Sequence, residues 1–216
     1  MQNCKASQNQ TMGRILLMAC ATALAVAFTV VLPQPAHAAN VTPPDVPQEI
    51  EVPPGNKAFF VGHGVGTQNY ICLPSGSGFA FKLFTPEATL FIDNAQVTTH
   101  YFSPNLNPIP RDEKVGTIRV TWQHSQDTST VWGKVIQSSS DRLCAAKDAI
   151  ACLLVEVVGA QDGPSGGHTL SDTTFIQRLN TQGGVAASQD CASSADIGKQ
   201  AFVPYKADYF FYQAAD

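Results

Sequence analysis

Hydrophobic and polar residues alternate with a period of two through most of this chain. Thr117 to Gln123 is the clearest stretch: Ile118, Val120 and Trp122 point one way, and Thr117, Arg119, Thr121 and Gln123 the other. That alternation predicts a half-buried strand. Ala88, Leu90 and Ile92 alternate with Thr89 and Asp93, with Phe91 an exception. Val131, Gly133 and Val135 oppose Trp132, Lys134 and Ile136 within Thr130–Gln137. Ile150–Val158 is more continuously apolar, as in a central strand. Further strands are predicted at Lys57–Val61, Thr67–Leu73, Phe79–Leu83, Val97–Phe102, Thr173–Asn180 and Phe202–Gln213. The last holds Tyr209-Phe210-Phe211-Tyr212 and reads as a closing strand buried on both faces, its hydroxyls partnered near the edge. About ten strands separated by turn-rich connections predict an all-β domain, an antiparallel β-sandwich or barrel with long loops. The long connections are Ser103–Gly116, Gly159–Asp172 and Thr181–Gln200.

The N-terminus departs from this pattern. Lys5 and Arg14 precede an apolar run from Ile15 to Leu32, and Ala36-His37-Ala38 follows. A basic start, an apolar middle and small residues at −3 and −1 predict a signal peptide over 1–38, and hence a secreted or periplasmic protein. A lipoprotein site at Cys20 would leave too short an apolar core. Cleavage after Ala36, which would expose His37 as a copper-binding terminus, would place Gln34 and Pro35 where small residues belong. Residues 39–54 carry five prolines and form a leader, with a short strand expected at Gln48–Val52. Residues 55–216 form a single β domain.

Composition narrows the function. Lys5 and Arg14 leave with the signal and every acidic residue stays. The 13 basic and 17 acidic side chains thus become 11 and 17, and the formal charge of −4 becomes −6. An acidic surface without a basic run argues against nucleic acid and against an anionic membrane face. No second apolar stretch of spanning length follows the signal, so no membrane association is expected after cleavage. The remaining cysteines, Cys72, Cys144, Cys152 and Cys191, read as two disulfides with three possible connectivities. Cys144–Cys152 closing a short loop, and Cys72–Cys191 tying an early strand to a late loop, is the favoured pairing. No Cys-x-x-Cys occurs, and His63, His100, His124 and His168 form no ligand pair, so neither a metal nor a cofactor is expected.

Candidate chemistry is sparse. Gly62-His63-Gly64-Val65-Gly66-Thr67 mimics a dinucleotide loop, but Thr67 stands where the third glycine belongs and a strand follows where a helix N-terminus is needed. A glycine-rich bend between two strands is the expectation. Ser75 and Ser77 lie in a hairpin turn, not a nucleophile elbow. Glu156 interrupts an apolar strand, where burial would raise its pKa; facing outward or pairing with Arg178 is the other expectation, and Glu87 follows Pro86. Trp122, Trp132, Tyr101, Phe102 and Tyr70 suit an aromatic platform for a flat ligand, and packing of alternate strand faces into the core is the other expectation. The candidate ligand-binding set is His63, Gln68, Tyr70, Glu87, Trp122, Glu156 and Arg178.

These residues recur in an ordered series. Val52-Pro53-Pro54-Gly55-Asn56, Gly66-x-Gln68-x-Tyr70-x-Cys72, Pro86-Glu87-Ala88-x-Leu90 and Thr121-Trp122-Gln123 come first. Thr174-Phe175-Ile176-Gln177-Arg178-Leu179-Asn180 and Val203-Pro204-Tyr205-x-Ala207-Asp208-Tyr209-Phe210-Phe211-Tyr212 follow. Over roughly Glu49 to Gln213 the chain resembles domain of unknown function 3455. The resemblance implies a secreted protein of bacteria or fungi, with Cys72 and Cys191 as the family-like pair. The malate dehydrogenase label of some fungal relatives gains no support from the glycine loop.

The expected function is a non-catalytic binding or surface-interaction protein of the periplasm or extracellular space, its partner an extracellular ligand with glycans among the candidates. The alternative is a hydrolase or lyase on an extracellular polymer, using Glu156, Glu87 or His63 as acid or base. A cleft uniting two of those three with Gln68 and Arg178 favours the enzyme; scatter favours binding.

Overall fold

The computed structural model describes residues 41–109 and 113–215. The expected signal peptide lies outside them. Eight antiparallel strands run in sequence order around a closed barrel: β1 (Asn56–Ser75), β2 (Gly78–Ile92), β3 (Ala95–Pro104), β4 (Ile118–His124), β5 (Thr130–Ser139), β6 (Cys152–Gln161), β7 (Thr173–Gly183) and β8 (Gln200–Ala214). The barrel closes where β8 pairs with β1, from Asn56 opposite Ala214 to Ile71 opposite Gln200. Closure gives every strand a partner on each side over at least part of its length, which limits the exposed edge.

The count is eight rather than about ten because two predicted breaks are absent. β1 runs unbroken through Gly62–Gly66. The glycines there are not a bend. A Cβ on Gly64 would stand 2.8 Å from the Tyr209 ring, and one on Gly66 would stand 2.1 Å from the Glu87 carbonyl oxygen. Bare glycines let Tyr209 and the β2 backbone come close, while the register shifts of β1 fall at Ala58/Phe60 and Asn69/Tyr70. β2 likewise continues through Pro86. Pro86 has no N–H to give, but the β2–β3 ladder begins only at Ala88 opposite His100. Beyond that point the Phe102 N–H donates to Thr85 Oγ1 (3.1 Å) instead. The two strands part there.

The expected leader strand at Gln48–Val52 is a 3-10 turn, Gln48–Ile50, closed by Ile50 N–H to Pro47 O (3.0 Å). A closed barrel offers no edge for another strand, so the leader lies across the outer wall. Ile50 is fully buried there, and Gln177 Nε2 donates to its carbonyl (2.7 Å).

Alternation divides the apolar residues between two cores. Leu90, Trp122, Val131, Val155, Ile176, Tyr209 and Phe211 fill the barrel. Ile50, Leu154, Leu179, Phe210 and Tyr212 pack outside it with the leader and Cys144–Cys152. β8 is therefore buried on both faces, as its aromatic run predicts. The apolar run of β6 has the same cause, since Val155 faces in while Leu154 faces the cover.

The disulfides are Cys72–Cys191 (Cα–Cα 5.5 Å) and Cys144–Cys152 (6.2 Å). The first ties the β7–β8 loop to β1, supported by Cys72 N–H to Lys199 O and Gly198 N–H to Cys72 O. The second pins the β5–β6 connection, which also joins β7 through a parallel bridge between Ala145 and Thr181. At one end Leu170, fully buried, plugs the barrel beneath Asp127 and Ser129. Burial opposes ionisation of Asp127, but the N–H and O–H donors of Thr169 and Ser129 outweigh it and hold its carboxyl below the usual range.

Candidate functional site

The barrel is packed at the Leu170 end and hollow at the other, with a cavity of about 290 Å³ where β2 and β3 part. Every strand sends inward residues to it: Gln68 and Tyr70 from β1, Pro86 from β2, His100 and Phe102 from β3, Trp122 from β4, Val135 from β5, Leu153 from β6, Arg178 from β7 and Tyr209 from β8. An eight-stranded barrel is about wide enough to be filled by side chains or to hold one small ligand. This barrel does the first at one end and leaves the second open at the other.

The walls are mostly apolar and the polar groups are few. Trp122 stacks on His100 with ring centroids 4.4 Å apart and planes 14° off parallel. Burial lowers the His100 pKa to about 3, with the Arg178 charge adding to the effect, so its ring is neutral. Its Nδ1 therefore donates to the Thr121 carbonyl (3.0 Å). Tyr205 and Tyr209 share a hydroxyl–hydroxyl bond of 2.9 Å, and burial pushes both phenols up. Tyr70 donates to the Gly184 carbonyl (2.7 Å), which ties the start of the β7–β8 loop to β1. Gly183 and Gly184 accept this turn with φ of 67° and 84°.

Arg178 is the one charged residue in the lining. Its Nε (3.2 Å) and Nη2 (2.7 Å) donate to the Ala151 carbonyl, and among the described residues no carboxylate comes within ion-pair distance. Two fully buried lining residues also have donors that make no close hydrogen bond: Gln68 Nε2 and Trp122 Nε1.

Of the sequence candidates, Gln68, Tyr70, Trp122 and Arg178 meet in this cavity. The other three lie elsewhere. His63 is exposed and donates to Asp208 (2.6 Å), whose other oxygen accepts from Asn180 (2.7 Å). Glu87 lies in a separate open groove of about 700 Å³ with Tyr101 and Gln123, and accepts from Asn69 (3.4 Å). Glu156 faces out, exposed, beside its cross-strand neighbour Lys134. It alternates with inward Val155, so it is neither buried nor paired with Arg178. Among the described residues no three of His, Cys, Asp or Glu gather as metal ligands would. His100 and Tyr209 were not among the candidates. Their signal was parity, since each shares a strand face with apolar inward residues.

The fold and this cavity define the class: a disulfide-tied, up-and-down antiparallel barrel, hollow at one end. Within that class the chain belongs to the family described as "Protein of unknown function (DUF3455)", whose sequence model matches residues 53–213. No curated protein and no solved structure matches the chain.

Proposed function

We propose that this chain is an exported, non-catalytic binding protein that holds a small extracellular ligand in the hollow end of its barrel. One observation carries the reading. The ligand-type candidates Gln68, Tyr70, Trp122 and Arg178 converge on one cavity, whereas the acid–base candidates Glu156, Glu87 and His63 stand at three separate places on the outer wall. General acid–base work needs its groups within hydrogen-bond reach of one reacting centre. Concave, mostly apolar sites with a few fixed polar groups are what small ligands use. Export is supported by the N-terminal pattern and by two disulfides, which persist in oxidising compartments. The open groove bearing Tyr101, Glu87 and Gln123 favours a glycan on the outer wall as a second reading.

The test is a small-molecule and glycan screen by thermal shift, followed by titration of intrinsic fluorescence. A saturable ligand should raise the unfolding temperature and quench Trp122, and Trp122→Phe should remove the quench. No saturable ligand, with turnover of a polymer that is lost in Glu156→Gln, would overturn the reading in favour of the enzyme.

A further inference from the structure

We infer that the cavity selects a small amphipathic monoanion, a carboxylate with an apolar body, whose head is held by Arg178. This rests on the binding reading above and adds the chemistry of the ligand. Arg178 carries a positive charge into a lining that contains no Asp or Glu. Its guanidinium meets only neutral groups, the Ala151 carbonyl and the Tyr209 phenol. Arg178 is half-buried, and a charge partly withdrawn from water gains from an opposite partner. His100 is neutral and the Tyr205 and Tyr209 phenols stay protonated, so nothing else in the pocket changes the charge balance. One unpaired cation calls for one anionic charge.

The spare polar capacity agrees. Trp122 Nε1 is an N–H donor without an acceptor, and Gln68 Nε2 makes no close hydrogen bond, its amide bearing only on the Tyr205 phenol; the two side chains are 1% and 2% exposed. Leaving buried donors unmade is costly, and a ligand bringing oxygen acceptors satisfies them. A planar carboxylate also matches the guanidinium fork. The rest of the ligand meets Val120, Val135, Leu153, Val155 and Ile176. The volume of about 290 Å³ holds roughly ten waters, which fits a short-chain or single-ring acid and not a long lipid.

The test uses three probes of matched size on the purified protein by calorimetry: octanoate, octan-1-ol and octylamine. Octanoate should bind about tenfold or more tighter than the alcohol, as a charge-assisted contact implies, and the amine should bind most weakly. Arg178→Met should bring octanoate down to the level of octan-1-ol and leave the alcohol within about twofold, since methionine keeps the apolar stem. The wild-type comparison stands even where that variant fails to fold. If octan-1-ol binds as tightly as octanoate, the monoanion inference falls while cavity binding survives. If none of the three saturates, the monoanion inference falls, and the binding reading falls with it only where the wider screen also finds no saturable ligand.

Discussion

Replacing Gly66 by alanine tests how the barrel wall is built. A Cβ at this position would stand 2.1 Å from the Glu87 carbonyl oxygen, 2.5 Å from Ala88 Cα and 2.6 Å from Ala88 Cβ. Two of these are backbone atoms of β2, so no rotamer change relieves the contact, and the β1–β2 pair must separate locally. Overpacking of this kind costs about 1 to 3 kcal/mol and occasionally more. Backbone on the receiving side places Gly66→Ala at about 3 kcal/mol or above. For a domain of this size each kcal/mol lowers the midpoint by about 2 to 4 °C, giving a fall of roughly 6 to 12 °C. Gly78, at the start of β2 in the same hairpin, is the internal control. A Cβ there meets nothing within 4 Å, and its φ is not in the left-handed region. Gly78→Ala should be neutral or stabilising by about 0.4 to 1 kcal/mol through the unfolded chain. Thermal unfolding followed by near-ultraviolet circular dichroism compares the two. If Gly66→Ala melts with wild type, or tracks Gly78→Ala, close approach is not what glycine supplies in this strand.

Loop-closure entropy ranks the disulfides. Their sequence separations are 119 and 8 residues, so removing Cys72–Cys191 should cost about 5 kcal/mol and Cys144–Cys152 about 2.5 kcal/mol. Denaturant titration of the paired serine variants checks the order, and a reversed order refutes it. His100 should make the protein acid-sensitive. Its pKa falls from 6.5 to about 3 on folding, so between those values only the unfolded chain takes up the proton. That contribution to stability is fully present above pH 6.5. It should be lost as pH falls, by about 1.4 kcal/mol per unit. His100→Gln should flatten that slope relative to wild type between pH 6 and 4.5, and an unchanged slope assigns the sensitivity to other groups.

The strand faces were legible because burial on a pleated wall is periodic. Tyr205, Ala207, Tyr209 and Phe211 face the interior while Phe210 and Tyr212 meet the outer cover, so an unbroken aromatic run correctly signals two buried faces. Strand number was less legible, because Gly and Pro carry two meanings. Read locally they punctuate. Here Gly62, Gly64 and Gly66 make room inside β1, and Pro86 stands where β2 has parted from β3 but still pairs with β1. Closure itself is non-local: His63 pairs with Asp208, and no period in either strand announces it. Within the site, Arg178 shares a face with Ile176, so a charge on an apolar row was visible in the sequence. Glu156 lies on the face opposite Val155, and counting parity places it outside. What parity does not show is that the row carrying Arg178 meets no acidic residue from the other strands.

The outer cover and the inner cavity are mechanically joined at Ala151. Its carbonyl takes both guanidinium bonds from Arg178, and it immediately precedes Cys152. The same short segment is fixed by Thr181 Oγ1 donating to the Ile150 carbonyl (2.5 Å) and by Ile150 N–H donating to the Gly183 carbonyl (2.9 Å). Gly184, next in the chain, receives the Tyr70 hydroxyl. Arg178, the carbonyl that orients it and the start of the β7–β8 loop are thus held by one hydrogen-bonded patch, with Cys144–Cys152 as its covalent anchor on the outside. Site groups carried on strands and fixed by such supports keep their geometry better than groups on free loops. The second disulfide therefore braces the cavity wall as well as the fold, although neither of its cysteines lines the cavity.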